Sequence, residues 1–143
     1  MIRSVTAHDA DAVYGLMCQL EDCELPREPF DAIFGAQLAA PGQHAFVYVS
    51  DDTEARVLGF INMRIEGQLH HAADIAEIME LVVDETARSG GIGGALFARA
   101  CEAARDAGCE QIELTSNARR HDAHRFYENH GMTRTHVKFV MPF

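Results

Sequence analysis

Positive charge is scarce in this sequence. Twelve Lys and Arg stand against 22 Asp and Glu, leaving a formal net charge of −10. No basic stripe offsets it, which speaks against nucleic acid as a partner. Long apolar runs are missing too, and none approaches the length of a membrane span. The opening Met1-Ile2-Arg3-Ser4-Val5 has no signal-peptide hydrophobic region, so a cytoplasmic location is expected. The four cysteines, Cys18, Cys23, Cys101 and Cys109, make no C-x-x-C pair. Cys18 and Cys101 fall at apolar positions of helical patterns, where free buried thiols are expected rather than zinc ligands or nucleophiles. No repeat, linker or low-complexity stretch appears, and 143 residues suit one domain around one core.

What the chain does have is concentrated at Leu81-Val82-Val83-Asp84-Glu85-Thr86-Ala87-Arg88-Ser89-Gly90-Gly91-Ile92-Gly93-Gly94. An apolar β-type run breaks into a glycine-rich turn, and a helical pattern opens at Ala95. Glycine lets the backbone approach a ligand and enter left-handed conformations. The first N–H groups of a helix lack partners inside it and point at an anion. Arg88 adds a planar, permanently charged donor. No lysine follows the glycines, so this is not a Walker loop, and their spacing does not fit the dinucleotide G-x-G-x-x-G. The pattern present is Arg-x-x-Gly-x-Gly. A phosphate or pyrophosphate is the ligand it suits.

The remaining pattern reads β-α-α-β-β-β-α-β-α-β. Ile2 to Thr6 is a short strand. Asp9 or Asp11 caps a helix with Val13, Leu16, Met17 and Leu20 on its apolar face. A second helix has Phe30, Ile33, Phe34 and Leu38 on one face. Ala45–Val49 and Val57–Ile65 form a hairpin across Asp51–Glu54. A loop from Gly67 to Asp74 carries His70 and His71, and Ile75–Val83 is a central strand. Gly94–Ala107 is a helix closed by Gly108. Gln111–Thr115 is a strand, His121–Asn129 a helix, and Thr135–Met141 a final strand. The alternation predicts an α/β fold with one mixed sheet and helices on both faces.

This order and the Arg-x-x-Gly-x-Gly turn resemble the GNAT superfamily of N-acetyltransferases. So does Ala123-His124-Arg125-Phe126-Tyr127-Glu128-Asn129-His130-Gly131-Met132, which is similar to that family's A-x-x-[FL]-Y-x-x-x-G-[FM] segment. The resemblance implies a single domain over 1–143, with its central sheet splayed at an acetyl-CoA cleft. By that resemblance, main-chain groups of Leu81, Val82 and Val83 bind the pantetheine arm. Arg88, Ser89, Gly90, Gly91, Gly93 and Gly94 bind the pyrophosphate, and Asn117 contacts pantetheine. Tyr127 takes the position of the acid that protonates the departing CoA thiolate. Attack needs a free amine, hence a base. Strict alternation puts Glu77 and Glu80 on opposite faces of their strand. Glu77 takes the base position by resemblance, with Glu80 in reserve. A homodimer is also implied.

A narrower resemblance concerns the acceptor. Leu69-His70-His71, Glu77-Ile78, Glu80-Leu81-Val82-Val83, Asn117 and Arg120–Tyr127 are similar to the aminoalkylphosphonate N-acetyltransferases. Bidentate arginine suits a phosphonate, and Arg64, Arg119, Arg120, His70 and His71 are the candidates to hold one. His121 and His124, three apart on a predicted helix, could hold a divalent cation with Asp122, His70, His71 and Glu77. Other small amines, such as a polyamine, an aminoglycoside or an amino acid, are the rival acceptors. A non-catalytic acyl-CoA-binding module is the rival of another class.

Overall fold

The computed structural model describes all 143 residues, and they divide into two compact units, Met1–Glu113 and Leu114–Phe143. In the first unit, strands β1 (Ile2–Ser4), β2 (Gln43–Val49), β3 (Val57–Gln68) and β4 (Ala73–Val83) pair antiparallel in that order. The β2–β3 turn is held by Asp52, whose carboxylate accepts the Ser50 hydroxyl and the Glu54 and Ala55 amides. Strand β5 (Gln111–Leu114) lies beyond β4. It begins where the Glu110 N–H donates to the Asp74 carbonyl at 3.0 Å, beside the start of β4, so the two strands run parallel. Counted residue for residue from that bond, β5 runs out near Ile78. The outer edge of β4 from Met79 to Val83 therefore extends past it.

Consecutive β3 residues face opposite ways, and each face has its own helix. Phe60, paired with Val82, joins the cluster of Val13, Leu16 and Met17 from α1 (Ala10–Glu21). Gly59, paired with Val83, lies under α3 (Ile92–Asp106). A Cβ on Gly59 would stand 2.9 Å from both the Ile92 and Leu96 side chains, so glycine sets how closely α3 seats. The buried side of α3 is Ile92, Leu96, Phe97, Ala100 and Ala104, a helical stripe. Helix α2 (Arg27–Ala39) departs from its expected apolar face. Phe30 and Phe34 pack toward the α1 cluster, but Ile33 and Leu38 are exposed. Asp9 does not cap α1 through its side chain. Its buried carboxylate accepts two 2.8 Å bonds from Arg3 and others from Thr6, fastening β1 to the helix entry.

In the second unit α4 spans His121–Asn129, and Gly131 follows at φ +89°. The final strand expected over Thr135–Met141 does not form, and residues 133–143 have no regular secondary structure. Alternation gives a segment the propensity of a strand, but a strand exists only when another backbone pairs with it.

Candidate active site

The glycine turn is built from both sides. Asp84 accepts the Thr86 amide at 2.9 Å and so holds the short helical turn Glu85–Ala87. Gln19 of α1 donates to Asp84 at 3.0 Å and accepts from the Glu85 amide at 3.1 Å, tying the turn to α1. Arg88 follows, exposed, its Nε 3.5 Å from the Val83 carbonyl. Ser89 at φ +70° and Gly91 at φ +78° then turn the chain through the left-handed region into α3. No side chain caps this helix, and no acidic residue lies in its first turn. Its opening amides and positive dipole end thus meet no protein anion, which is what an anion cradle requires.

Between that turn and the β3–β4 hairpin the register corrects the expected placement of the glutamates. Asn62 pairs with Glu80, but the next β3 residue, Met63, pairs with Ile78. Met79 is therefore an extra residue, a β-bulge. The alternation shifts by one position, and Glu77 and Glu80 share the α1/α2 face instead of opposing each other. Their surroundings differ. Glu77 is held by Arg64 at 3.2 Å, and the same guanidinium reaches Glu66 at 3.5 Å. Glu80 has no cation. Asn62, only 2% exposed, donates to it at 2.8 Å and to Gln37 of α2 at 3.0 Å. Burial pushes the Glu80 carboxyl above its ordinary range, with the Asn62 bond acting against the shift and Glu21 adding to it. Asn62 and Gln37 were not among the expected site residues. The signal for Asn62 was an amide inside the apolar run Gly59-Phe60-Ile61-Asn62-Met63.

In the second unit the Asn117 side chain accepts the Arg119 amide at 2.9 Å, and its carbonyl accepts the Arg120 amide at 3.0 Å. Asn117 thereby shapes the approach to α4. Arg119 and Arg120 line an open concavity with His121, Asp122 and Ala123. The ion pairs of this unit are Arg125–Asp122 and Arg134–Glu128, so neither Arg119 nor Arg120 is consumed by one. Burial pushes the Tyr127 phenol up, and Arg120 partly offsets it. The tyrosine is therefore a neutral O–H donor at pH 7.

Two expected groupings are not assembled. The His70 and His71 rings lie 4.4 Å apart, tilted at 48°, in the turn joining β3 to β4. Several strand residues separate that turn from Glu80, roughly 3.3 Å each. The divalent-cation site expected at His121 and His124 finds no support either. No group of three or more His, Cys, Asp or Glu is placed to hold a metal. His124 spends its ring nitrogens on the Asn117 carbonyl at 2.9 Å and on Arg134 at 3.1 Å. The cysteines are free as expected, and burial raises the Cys101 and Cys109 thiols, the wrong direction for a nucleophile.

The chain's relatives are built on the same frame. The acetyltransferase (GNAT) family matches residues 10–132. An aminoalkylphosphonate N-acetyltransferase of Salmonella typhimurium is 41% identical over 139 residues, 97% of this chain and 88% of that one. Among solved structures, glucosamine-6-phosphate N-acetyltransferase from Arabidopsis thaliana has a TM-score of 0.84 at 20% identity, covering 100% of this chain and 97% of its own. An acetyltransferase of Trypanosoma brucei has a TM-score of 0.83 at 23% identity, covering 100% and 99%. The last two share the fold. The family match runs from α1 to the residue after Gly131 and takes in the glycine turn, both glutamates and Tyr127. With it, the uncapped cradle at the start of α3 finds its place: this chain belongs to the GNAT family of acetyltransferases.

Proposed function

We propose that the chain is a single N-acetyltransferase domain that moves the acetyl group of acetyl-CoA to the primary amine of a small aminoalkylphosphonate, in the cytoplasm and as a homodimer. The observation that carries acetyl transfer is Glu80, a half-buried carboxyl without a cation and with its pKa raised by burial. Such a group is matched to taking a proton from an ammonium near neutral pH. Glu77, occupied by Arg64, is not. In this reading Glu80 takes over the base role that family resemblance gave to Glu77.

Pyrophosphate lies on Arg88, Ser89, Gly90, Gly91, Gly93 and Gly94, and pantetheine runs along the free edge at Leu81, Val82 and Val83, with Asn117 as a further contact. The acceptor's ammonium gives its proton to Glu80. Its nitrogen lone pair then forms the C–N bond at the thioester carbonyl. The C–S bond breaks as the tetrahedral intermediate collapses, and the thiolate takes the Tyr127 proton. Asn62 orients Glu80 and stabilises its ionised form, and Gln37 steadies Asn62. The choice of acceptor rests on the Salmonella relative, and Arg119 and Arg120 are the groups to hold its phosphonate.

Thiol release from acetyl-CoA tests the reading. Aminoethylphosphonate should release CoA with higher kcat/KM than a polyamine, an aminoglycoside or an amino acid. Preference for one of those would overturn the acceptor, and no release with any amine would leave an acyl-CoA-binding module. Asn62→Ser should move the acidic limb of the kcat/KM profile to higher pH. A lowered profile of unchanged shape would deny Asn62 its positioning role.

A further inference from the structure

Helices α1 and α3 close in the same way. At the end of α1, Asp22 turns left-handed at φ 52°, and its N–H donates to the Gln19 carbonyl at 3.4 Å. The Cys23 N–H then reaches back to the Cys18 carbonyl at 3.2 Å. At the end of α3, Gly108 takes the left-handed position at φ +80°, and the Cys109 N–H reaches back to the Ala104 carbonyl at 3.0 Å. This cap folds the chain so that the residue giving the long bond meets the side chain of the residue accepting it. In α3 the pair is Cys109 and the buried Ala104, an ordinary apolar contact. In α1 the pair is two thiols. The 3.2 Å bond and standard bond lengths hold the Cys18 and Cys23 Cα atoms within about 7 Å, and disulfides span about 4.4–6.8 Å. The Leu25 N–H donates to the Cys18 Sγ at 3.4 Å, so this sulfur already faces the segment leaving the helix. Cys18 is half-buried and Cys23 is exposed.

We infer that Cys18 and Cys23 form a reversible disulfide that locks the cap of α1. The exposed Cys23 thiolate attacks a low-molecular-weight disulfide, forming a mixed disulfide and releasing one small thiolate. Cys18 gives up its proton, attacks the Cys23 sulfur and displaces the second small thiolate. Two protein thiols and one small disulfide become one protein disulfide and two small thiols. Two electrons pass to the small disulfide, and the two protein protons go to the released thiolates. A reducing compartment keeps the pair open, and a rise in small disulfide closes it. The bridge encloses Gln19, whose side chain holds Asp84 and the Glu85 amide, so it fixes the end of α1 from which the glycine turn is tied. This goes beyond the acetyl-transfer reading and does not depend on it.

Peptide mapping of the full chain tests the bridge. The reduced protein is treated with glutathione disulfide, then unfolded and alkylated. The tryptic peptide Ser4–Arg27, which holds both residues, should be unalkylated and lighter by two hydrogens, with Cys101 and Cys109 alkylated. Alkylated Cys18 and Cys23, a lasting glutathione adduct on the wild type, or a link from either residue to Cys101, Cys109 or another chain would overturn the assignment. Cys18→Ser should retain glutathione on Cys23, because nothing displaces it. An adduct that clears from this variant as well would deny Cys18 its part. Bridging should shift Tm upward in the wild type and not in Cys23→Ser, and a downward shift would mean that the native cap does not fit the bond.

Discussion

Glu80 holds its charge against the cost of burial, with one amide bond opposing that cost. Its folded pKa lies above the ordinary value. Its contribution to stability is therefore present below the unfolded pKa and lost as pH rises through the folded one. Glu80→Gln should melt higher than the wild type at pH 8, with the gap closing near pH 4, and turnover should fall about 10²–10⁴-fold. Equal melting differences at both pH values would mean that the charge is not what burial opposes. Tyr127→Phe should lower kcat about 10²-fold or more, with acetyl-CoA affinity by calorimetry held. A parallel loss of affinity would make the phenol a binding group. The glycine turn was legible because it is local: spacing along the chain is spacing in space. The choice between two glutamates was not, because a register shift is a relation between two strands and leaves no mark on either alone.

Helix α3 joins the turn to the sheet, so its seating decides where the cradle stands. At Gly59 an added methyl would meet Ile92, in the helix's first turn, and Leu96 one turn on. Gly59→Ala should cost about 1–3 kcal/mol in denaturant unfolding, the range for overpacking. It should also weaken acetyl-CoA binding, although residue 59 touches no ligand in the proposed site. Unaltered affinity in a destabilised protein would show the cradle to be independent of helix seating. Helices α1 and α3 were readable from periodicity because each buries an apolar stripe. Two readings gave way for one reason. The apolar face of α2 and the strand at 135–141 both describe what a segment can cover. Neither says whether something in the same chain is there to be covered.

As a whole the protein is an anion, −10 by formal charge, assigned an anionic cofactor. Arg88 and the α3 dipole act at short range, and the net charge acts over about a Debye length, ~10 Å at 0.1 M salt. Raising sodium chloride from about 10 to about 200 mM should screen self-repulsion and raise Tm. A fall in Tm would show that the surface ion pairs outweigh the excess negative charge. No helix is long and apolar enough to cross a membrane.

Met79 has no partner on β3, and its side chain is exposed. Met79→Ser should leave turnover near wild type, and so should deleting the residue, because the shortened strand sets Glu80 opposite Asn62 in a regular ladder, two positions from Glu77 and on the same face. Replacing Met79 by two residues should instead leave the register to be settled elsewhere and lower turnover; activity lost on deletion would contradict this. The strand counts as well as spells: Met79 is a residue the ladder passes over, and the two glutamates share a face because it goes uncounted.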